Sequence, residues 1–296
     1  VREATFKDVV EHIGVVGFVR LVRSLPADAS VRLGSAMGRL AFDVLGFRRK
    51  VVLSNLERHL PEIRSHADRL RLGRASYMGF GMALAEFGRL PLVDDRYLGE
   101  KIAADGLDHL DKARRRGKGA ILVTGHFGSW ELMGCALVRM GYPVDFVVGI
   151  QRNPLVQDLM NGLRRGAGIE VIDIHSTHAI VRAIRHNRFL AMLSDQDAGS
   201  RGVFVEFLNE QASTAAGAAR LAVLTGAPVI TGFIIRTANT RHRVVIEPPI
   251  YPDPSRDREE EVLRITEAYS RTIEAYVRRY PDHWLWAHRR WKSRPD

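Results

Sequence analysis

Ile121-Leu-Val-Thr-Gly-His126-Phe-Gly-Ser-Trp-Glu131, running on through Leu132 to Met140, is the stretch on which the fold of this 296-residue chain turns. Its opening apolar run has the length of a buried strand, Gly125 and Gly128 supply turn residues, and a helix is expected to open near Ser129. In an α/β protein a strand, a tight turn and a helix start meet at the carboxyl edge of the sheet, where ligands bind. His126 and Glu131 are therefore expected to face a crevice, and five residues apart across a turn they can meet. A histidine hydrogen-bonded to a carboxylate has a fixed tautomer and raised basicity, which suits it to take a proton from a hydroxyl during acyl transfer. The plainer alternative is two polar residues at a helix N-terminus, with Glu131 answering the helix dipole.

Beyond that helix the pattern alternates strand and helix over 144–148, 154–165, 170–174, 177–186 and 189–193. This predicts an α/β fold with a mostly parallel central sheet flanked by helices. Further strands are expected at 203–207, 229–236 and 242–247, an alanine-rich helix at 213–224, and a closing helix at 258–279. Upstream, helices are expected at 9–25, 30–45, 51–60 and 67–90, followed by a mixed segment with a short strand near Ile102 and a basic helix at 108–118. The organisation expected is one domain over 1–296, with 1–91 a helical N-terminal segment and 92–296 the α/β body; 46% hydrophobic content supplies ample core.

The formal net charge is +10, and only six of the 44 basic residues are lysine. Arginine grips phosphate and carboxylate bidentately, so an acidic partner is expected: anionic lipid, phosphorylated sugar, acidic carrier protein or nucleic acid. The single cysteine, Cys135, excludes an internal disulfide and a cysteine-based zinc site, and reads as a packed thiol. No signal peptide with a cleavage site is visible, which makes the cytoplasmic side the default. Residues 9–25 are apolar but interrupted by Glu11, Arg20 and Arg23, too short a clean run to span a bilayer. They read as an interfacial helix with guanidinium groups on headgroup phosphates, or as a helix packed on the protein's own body.

Arg152 follows a strand and precedes a helix, so it is placed at the same sheet edge as His126; Arg164 falls at the far end of that helix. Asp195 and Asp197 directly follow the strand at 189–193 and would sit beside His126 if the two strands are neighbours, orienting donors, holding an arginine or capping a turn. Arg201 lies in a glycine-rich loop suited to closing on a phosphate or glucosamine headgroup. No metal is expected, because the Asp-x-Asp pair lacks a phosphoryl-transfer loop. The tail Trp284-Leu-Trp286-Ala-His288-Arg289-Arg290-Trp291-Lys292 interleaves aromatics with cations, as a membrane-interface segment or a base-stacking one would.

Taken together, Gly-His126-Phe-Gly-Ser-Trp-Glu131, Ser-Asp195-Gln-Asp197-Ala-Gly-Ser-Arg201-Gly-Val-Phe-Val and Thr225-Gly-Ala-Pro-Val resemble the LpxL/HtrB family of late acyltransferases of lipid A synthesis. The likeness extends from Asn55-Leu to the tryptophan-rich tail. It implies a glycerolipid acyltransferase-like sheet behind a helical N-terminal layer, bound peripherally or monotopically at the cytoplasmic face of the bacterial inner membrane. It implies transfer of a fatty acyl chain from acyl carrier protein or acyl-CoA to a hydroxyl of a phosphorylated glycolipid, a lipid A precursor, without a cofactor. His126 would be the base, Glu131 would hold the imidazole, and Arg152 and Arg164 would border the site. The tail then reads as a lid edge and interface belt, not a nucleic-acid site. Alternatives are an acyltransferase on a phosphatidylinositol mannoside or an aminolipid, a hydrolase using the same dyad, and a non-catalytic basic membrane- or nucleic-acid-binding protein.

Overall fold

The computed structural model describes residues 4–295; positions 1–3 and 296 lie outside the described residues. Four helices come first: α1 (Phe6–Ser24), α2 (Ala27–Asp43), α3 (Arg49–His59) and α4 (His66–Gly88). Then follow α5 (Asp95–Lys101), β1 (Ile102–Asp105), α6 (Leu107–Arg115), β2 (Ala120–Thr124), α7 (Trp130–Arg139), β3 (Val144–Val148), α8 (Pro154–Gly166), β4 (Glu170–Asp173), α9 (Thr177–Arg185) and β5 (Phe189–Leu193). The chain ends through β6 (Val203–Phe207), β7 (Glu210–Thr214), α10 (Gly217–Thr225), β8 (Val229–Ala238), β9 (Arg241–Ile246) and α11 (Arg258–Arg279).

Seven strands form the sheet in the order β1-β9-β8-β2-β5-β3-β4, and β6 and β7 form a separate hairpin. The run β8-β2-β5-β3-β4 is parallel throughout, while β9 returns antiparallel to β8. The expected α/β class with a mostly parallel sheet flanked by helices is thus the architecture found. Every residue of β2 is buried, because helical crossovers cover both faces of a parallel sheet. Its register places Thr124 beside Leu193 of β5. The next two residues of each strand leave the sheet side by side, which carries His126 and Asp195 to one edge.

Two elements depart from the sequence pattern. Residues 213–214 belong to β7, not to a helix, and α10 starts only at Gly217. The cause is a two-residue hairpin turn in which Leu208 and Asn209 both take positive φ, 52° and 64°; a leucine in that conformation gives no turn signal to read. Within the mixed segment, α5 forms because the Asp94 side chain caps it, accepting from the Tyr97 amide at 2.7 Å.

The helical N-terminal layer packs tightly. A Cβ at Gly34 would lie 2.3 Å from the Gly81 carbonyl oxygen, and one at Gly38 would lie 2.0 Å from that of Tyr77, so α2 and α4 meet backbone to backbone. Helix α1 lies on the body through buried Val19 and Val22. The Asn153 amide donates to the Asp8 carbonyl at 3.0 Å and to Glu11 at 3.1 Å. Arg23 Nε donates to the Gly88 carbonyl at 2.8 Å, which ties the end of α1 to the end of α4 while the residue stays exposed. Phe6, Val9, Val10, Ile13 and Leu21 of α1 remain exposed. Among the described residues, no helix is long and apolar enough to cross a membrane.

Gly38→Ala should push α2 off α4 and destabilise the protein by roughly 1–3 kcal/mol, the usual cost of overpacking. Thermal unfolding should show a drop of several degrees; an unchanged midpoint would mean that the helices have room to spare.

Candidate active site

The turn after β2 is held from several sides. Gly128 takes φ +57°, and a Cβ there would meet the Ile234 carbonyl oxygen at 2.1 Å. Its amide donates to the His283 carbonyl at 2.8 Å. Gly125 lies against Asp195, whose Oδ2 would be 2.8 Å from a Cβ at that position. This close backbone approach lets the carboxylate reach the base of the turn.

His126 Nδ1 lies 2.8 Å from Asp195 Oδ1, and the His126 backbone amide donates to Asp195 Oδ2 at 2.7 Å. The indole of Trp284 donates to the same Oδ2 at 2.8 Å. Asp195 is 3% exposed. Burial by itself would raise its pKa, but the facing imidazole and the donated hydrogen bonds overcome that and hold it at about 2. For His126, burial pulls the pKa down, and the Asp195 charge and hydrogen bond, with a smaller pull from Glu131, carry it above the ordinary histidine value. With Nδ1 donating to Asp195, Nε2 is left with its lone pair free for a proton. The Gln196 side-chain nitrogen sits 3.2 Å from that Nε2.

The expected His126–Glu131 hydrogen bond is therefore replaced by His126–Asp195. Glu131 is instead held by Arg164, whose Nε donates to Oε2 at 3.0 Å and whose Nη2 donates to Oε1. Arg164 also donates to Asn161 at 3.0 Å and lies over the rings of Phe87 and Phe146. Helix α7 points the Glu131 side chain toward α8, and a fully committed guanidinium there is a better partner for a buried carboxylate than a neutral imidazole. Glu131 thus acts on His126 only through space, and Arg164 is buried, 8% exposed, not poised at an open border.

Other expected site residues fall elsewhere. Asp197 accepts from the Ser293 amide at 3.2 Å and lies 3.1 Å from its hydroxyl, and its own amide donates to His288 Nε2 at 3.0 Å; it ties down the C-terminal tail. Arg152 is exposed in the loop between β3 and α8, and Arg201 is exposed in a short 3-10 turn. The tail is no interface belt: Trp284, Trp286 and Trp291 are 1%, 0% and 5% exposed, and Arg290 is 1% exposed. Their indole N–H groups find Asp195, the Pro281 carbonyl and the Phe207 carbonyl, which makes burial of the aromatics favourable. Trp284 and Gln196, which the sequence reading passed over, are the residues that complete the dyad. Tryptophan spacing alone does not say which indole turns inward.

An apolar cavity of about 70 Å³ begins beside this dyad. Its walls include Leu122, Met133, Val144, Phe146, Ala191 and Ile246, and Trp130 lines it with its ring 5.1 Å from that of His126. Thr124 flanks the site with a buried hydroxyl oxygen that makes no hydrogen bond, while the buried Ser129 hydroxyl lies toward Glu86, whose pKa it helps to lower. As N-cap of α7, Ser129 makes no side-chain bond to the helix, so the first amides of α7 are left for a ligand. The arrangement combines a half-buried histidine, an uncapped helix start and an apolar cavity.

A family model described as bacterial lipid A biosynthesis acyltransferase matches residues 7–293. The chain is 29% identical over 285 residues to a lipid A biosynthesis lauroyltransferase of Escherichia coli (strain K12), covering 95% of this chain and 91% of that protein. It is 28% identical to a lipid A biosynthesis palmitoleoyltransferase of the same organism, over 95% of this chain and 90% of that one. Among solved structures, it is similar to the 1-acyl-sn-glycerophosphate acyltransferase PlsC of Thermotoga maritima, with a TM-score of 0.39 and 14% identity over 84% of this chain and 96% of that chain.

Asp195→Asn should lower the turnover number by about 10²–10⁴-fold if the dyad acts as a unit. It should also move the acidic limb of the pH–rate profile to lower pH, because the charge that raises the His126 pKa is gone and the neutral base persists further into acid. An unmoved limb would detach Asp195 from the titration. Arg164→Met should destabilise the fold by about 3–5 kcal/mol by stranding the Glu131 charge, and an Arg164→Met, Glu131→Leu double variant should recover much of it in denaturant melts.

Proposed function

The chain belongs to the bacterial lipid A biosynthesis acyltransferase family, and from that premise we propose how its residues carry out O-acyl transfer. The enzyme moves a fatty acyl chain to a hydroxyl of a lipid A precursor. The donor is an acyl thioester, on acyl carrier protein or coenzyme A, and the chain's +10 formal charge favours either acidic carrier. The observation that carries the mechanism is the half-buried His126 hydrogen-bonded to the buried Asp195, next to an apolar cavity lined by Thr124 and Trp130.

The acceptor hydroxyl comes to His126 Nε2, displacing the Gln196 carboxamide that lies there. His126 takes the hydroxyl proton while the oxygen attacks the thioester carbonyl, and Asp195 stabilises the imidazolium that forms. The tetrahedral oxyanion is met by the uncapped amides of α7 and the Thr124 hydroxyl. As the C–S bond breaks, the imidazolium proton passes to the departing thiolate, so atoms and charge balance and no acyl-enzyme is formed. The part of the donor's hydrocarbon next to the carbonyl lies in the cavity walled by Leu122, Met133, Phe146 and Ile246, where apolar burial holds the carbonyl in place.

Glu131 and Arg164 serve this site as a fixed ion pair in the cavity wall, and Arg152 and Arg201, both exposed, are assigned to phosphates of the acceptor headgroup. Asp197 is assigned to the architecture of the tail. Peripheral attachment to the cytoplasmic face of the inner membrane is proposed through the exposed Phe6, Val10 and Ile13 of α1. The whole of 1–296 is read as one acyltransferase unit.

Incubating the protein with acyl carrier protein thioester and a lipid A precursor should give acylated lipid by mass spectrometry; free fatty acid as the main product would replace transfer by hydrolysis. His126→Ala should lower the turnover number by at least about 10²-fold with the fold intact. Ala191→Leu, which narrows the cavity, should shift donor preference toward shorter chains, and an unchanged chain-length profile would place the donor's hydrocarbon elsewhere.

A further inference from the structure

A second apolar pocket, of about 220 Å³, opens over the seam of α2 and α4. Its walls come from α2 (Met37, Ala41), α4 (Tyr77, Phe80, Leu84) and the tail. Two of those walls touch the catalytic turn directly. Phe80 stacks on Trp130 with ring centres 6.1 Å apart, and Trp130 in turn meets the His126 ring. Leu285 donates its amide to the His126 carbonyl at 3.1 Å. His126 is thus joined through Trp130, which lines the first cavity, and through Leu285, which lines the second pocket, to both apolar spaces.

The two spaces differ in character. The cavity under α7 is walled by sheet and helix, whereas the second pocket includes Met37, Phe47 and Leu84, which are 46%, 60% and 40% exposed. Met37, Leu40, Ala41 and Val44 recur at helical spacing along one face of α2, and Leu40, Val44, Leu45 and Phe47 are also exposed. This apolar strip ends in Arg48-Arg49-Lys50. The Arg48 guanidinium sits 5.9 Å from the Phe47 ring centre and donates to the carbonyl of Ala287, another lining residue. An apolar opening rimmed by cations matches an amphiphile with a hydrocarbon tail and an anionic head.

We propose that the pocket over the α2–α4 seam seats an acyl chain of the acceptor lipid, with one phosphate of its headgroup against Arg48 and Lys50 and a second left to Arg152 and Arg201. The inference rests on the acyl-transfer reading and deepens it: the carbonyl end of the donor chain occupies the enclosed cavity, the acceptor chain slides in from the membrane side, and Trp130 with Phe80 keeps the two apart. An apolar opening to the surface suits a chain that already lies in a bilayer, because the chain need not pass through water. The strip 44–47 then enters the membrane interface beside α1, which brings the pocket mouth to the depth of the headgroups.

The test uses the full chain in detergent micelles with phosphatidylglycerol that carries a diazirine near the end of one acyl chain. After photolysis, peptide mapping should find label on residues 34–41 and 77–84, and Ala41→Phe or the more exposed Leu84→Trp should reduce that label at least about fivefold. Label confined to 44–47, or unchanged by both substitutions, would overturn the pocket. Equal labelling by the corresponding diacylglycerol, which carries no phosphate, would overturn the headgroup assignment. In the kinetic arm, Leu84→Trp should raise the KM for a long-chain acceptor at least about fivefold with turnover and donor chain-length profile unchanged. A shift in donor profile would give the pocket to the donor. If the wild-type protein labels in the pocket yet acylates no acceptor, the catalytic reading fails and the lipid site stands.

Discussion

One buried carboxylate organises the carboxyl edge of the sheet where His126 stands. Asp195 receives hydrogen bonds from stretches of chain 69 and 89 residues away, and it bonds both the backbone and the ring of His126. An ion taken out of water must recover its lost hydration from fixed donors, and Asp195 recovers it from an imidazole, an amide and an indole. The same bonds close the turn after β2 against the end of β5 and clamp the tail across both. The geometry of the base and the closure of the fold are thus one constraint.

That pattern recurs with other charges. Glu131 is chelated by Arg164, Glu86 by Arg236, and Asp145 by Arg188, each pair joining separate elements. Arg290 is buried among the Ser213 carbonyl, the Thr214 hydroxyl and the Gln196 carbonyl, and burial lowers its pKa to about 10. A good share of the arginine content therefore holds the interior together. The planar, multiply donating guanidinium suits that task better than an ammonium, which explains an arginine-rich, lysine-poor composition apart from any acidic partner.

Around these charges the apolar space is divided. Helix α7 roofs one apolar cavity against the sheet, α2 and α4 form another, and Trp130 lines the first within reach of His126. The close glycine contacts between α2 and α4 keep that second wall in place. For the proposed reaction between two lipid-tailed substrates, such a division would let nonspecific apolar burial bind each chain while the wall it meets fixes its position.

The sequence by itself determined the class of the sheet, the strand–turn–helix carrying His126 and the acyltransferase resemblance. Each of these rests on local periodicity, turn residues and contiguous motifs, which a chain displays without folding. It even placed Asp195 beside His126 on condition that β2 and β5 are neighbours. What it could not decide was the pairing. Glu131 is near in sequence and looked like the histidine's partner, but the helix it begins turns its side chain to Arg164, while Asp195 arrives through strand register. The inward turn of Trp284, the hairpin at 203–214 and the two apolar pockets were likewise settled by tertiary structure. They arise from contacts between distant elements, and the competition among buried charges for donors is resolved only when all of those elements are packed together.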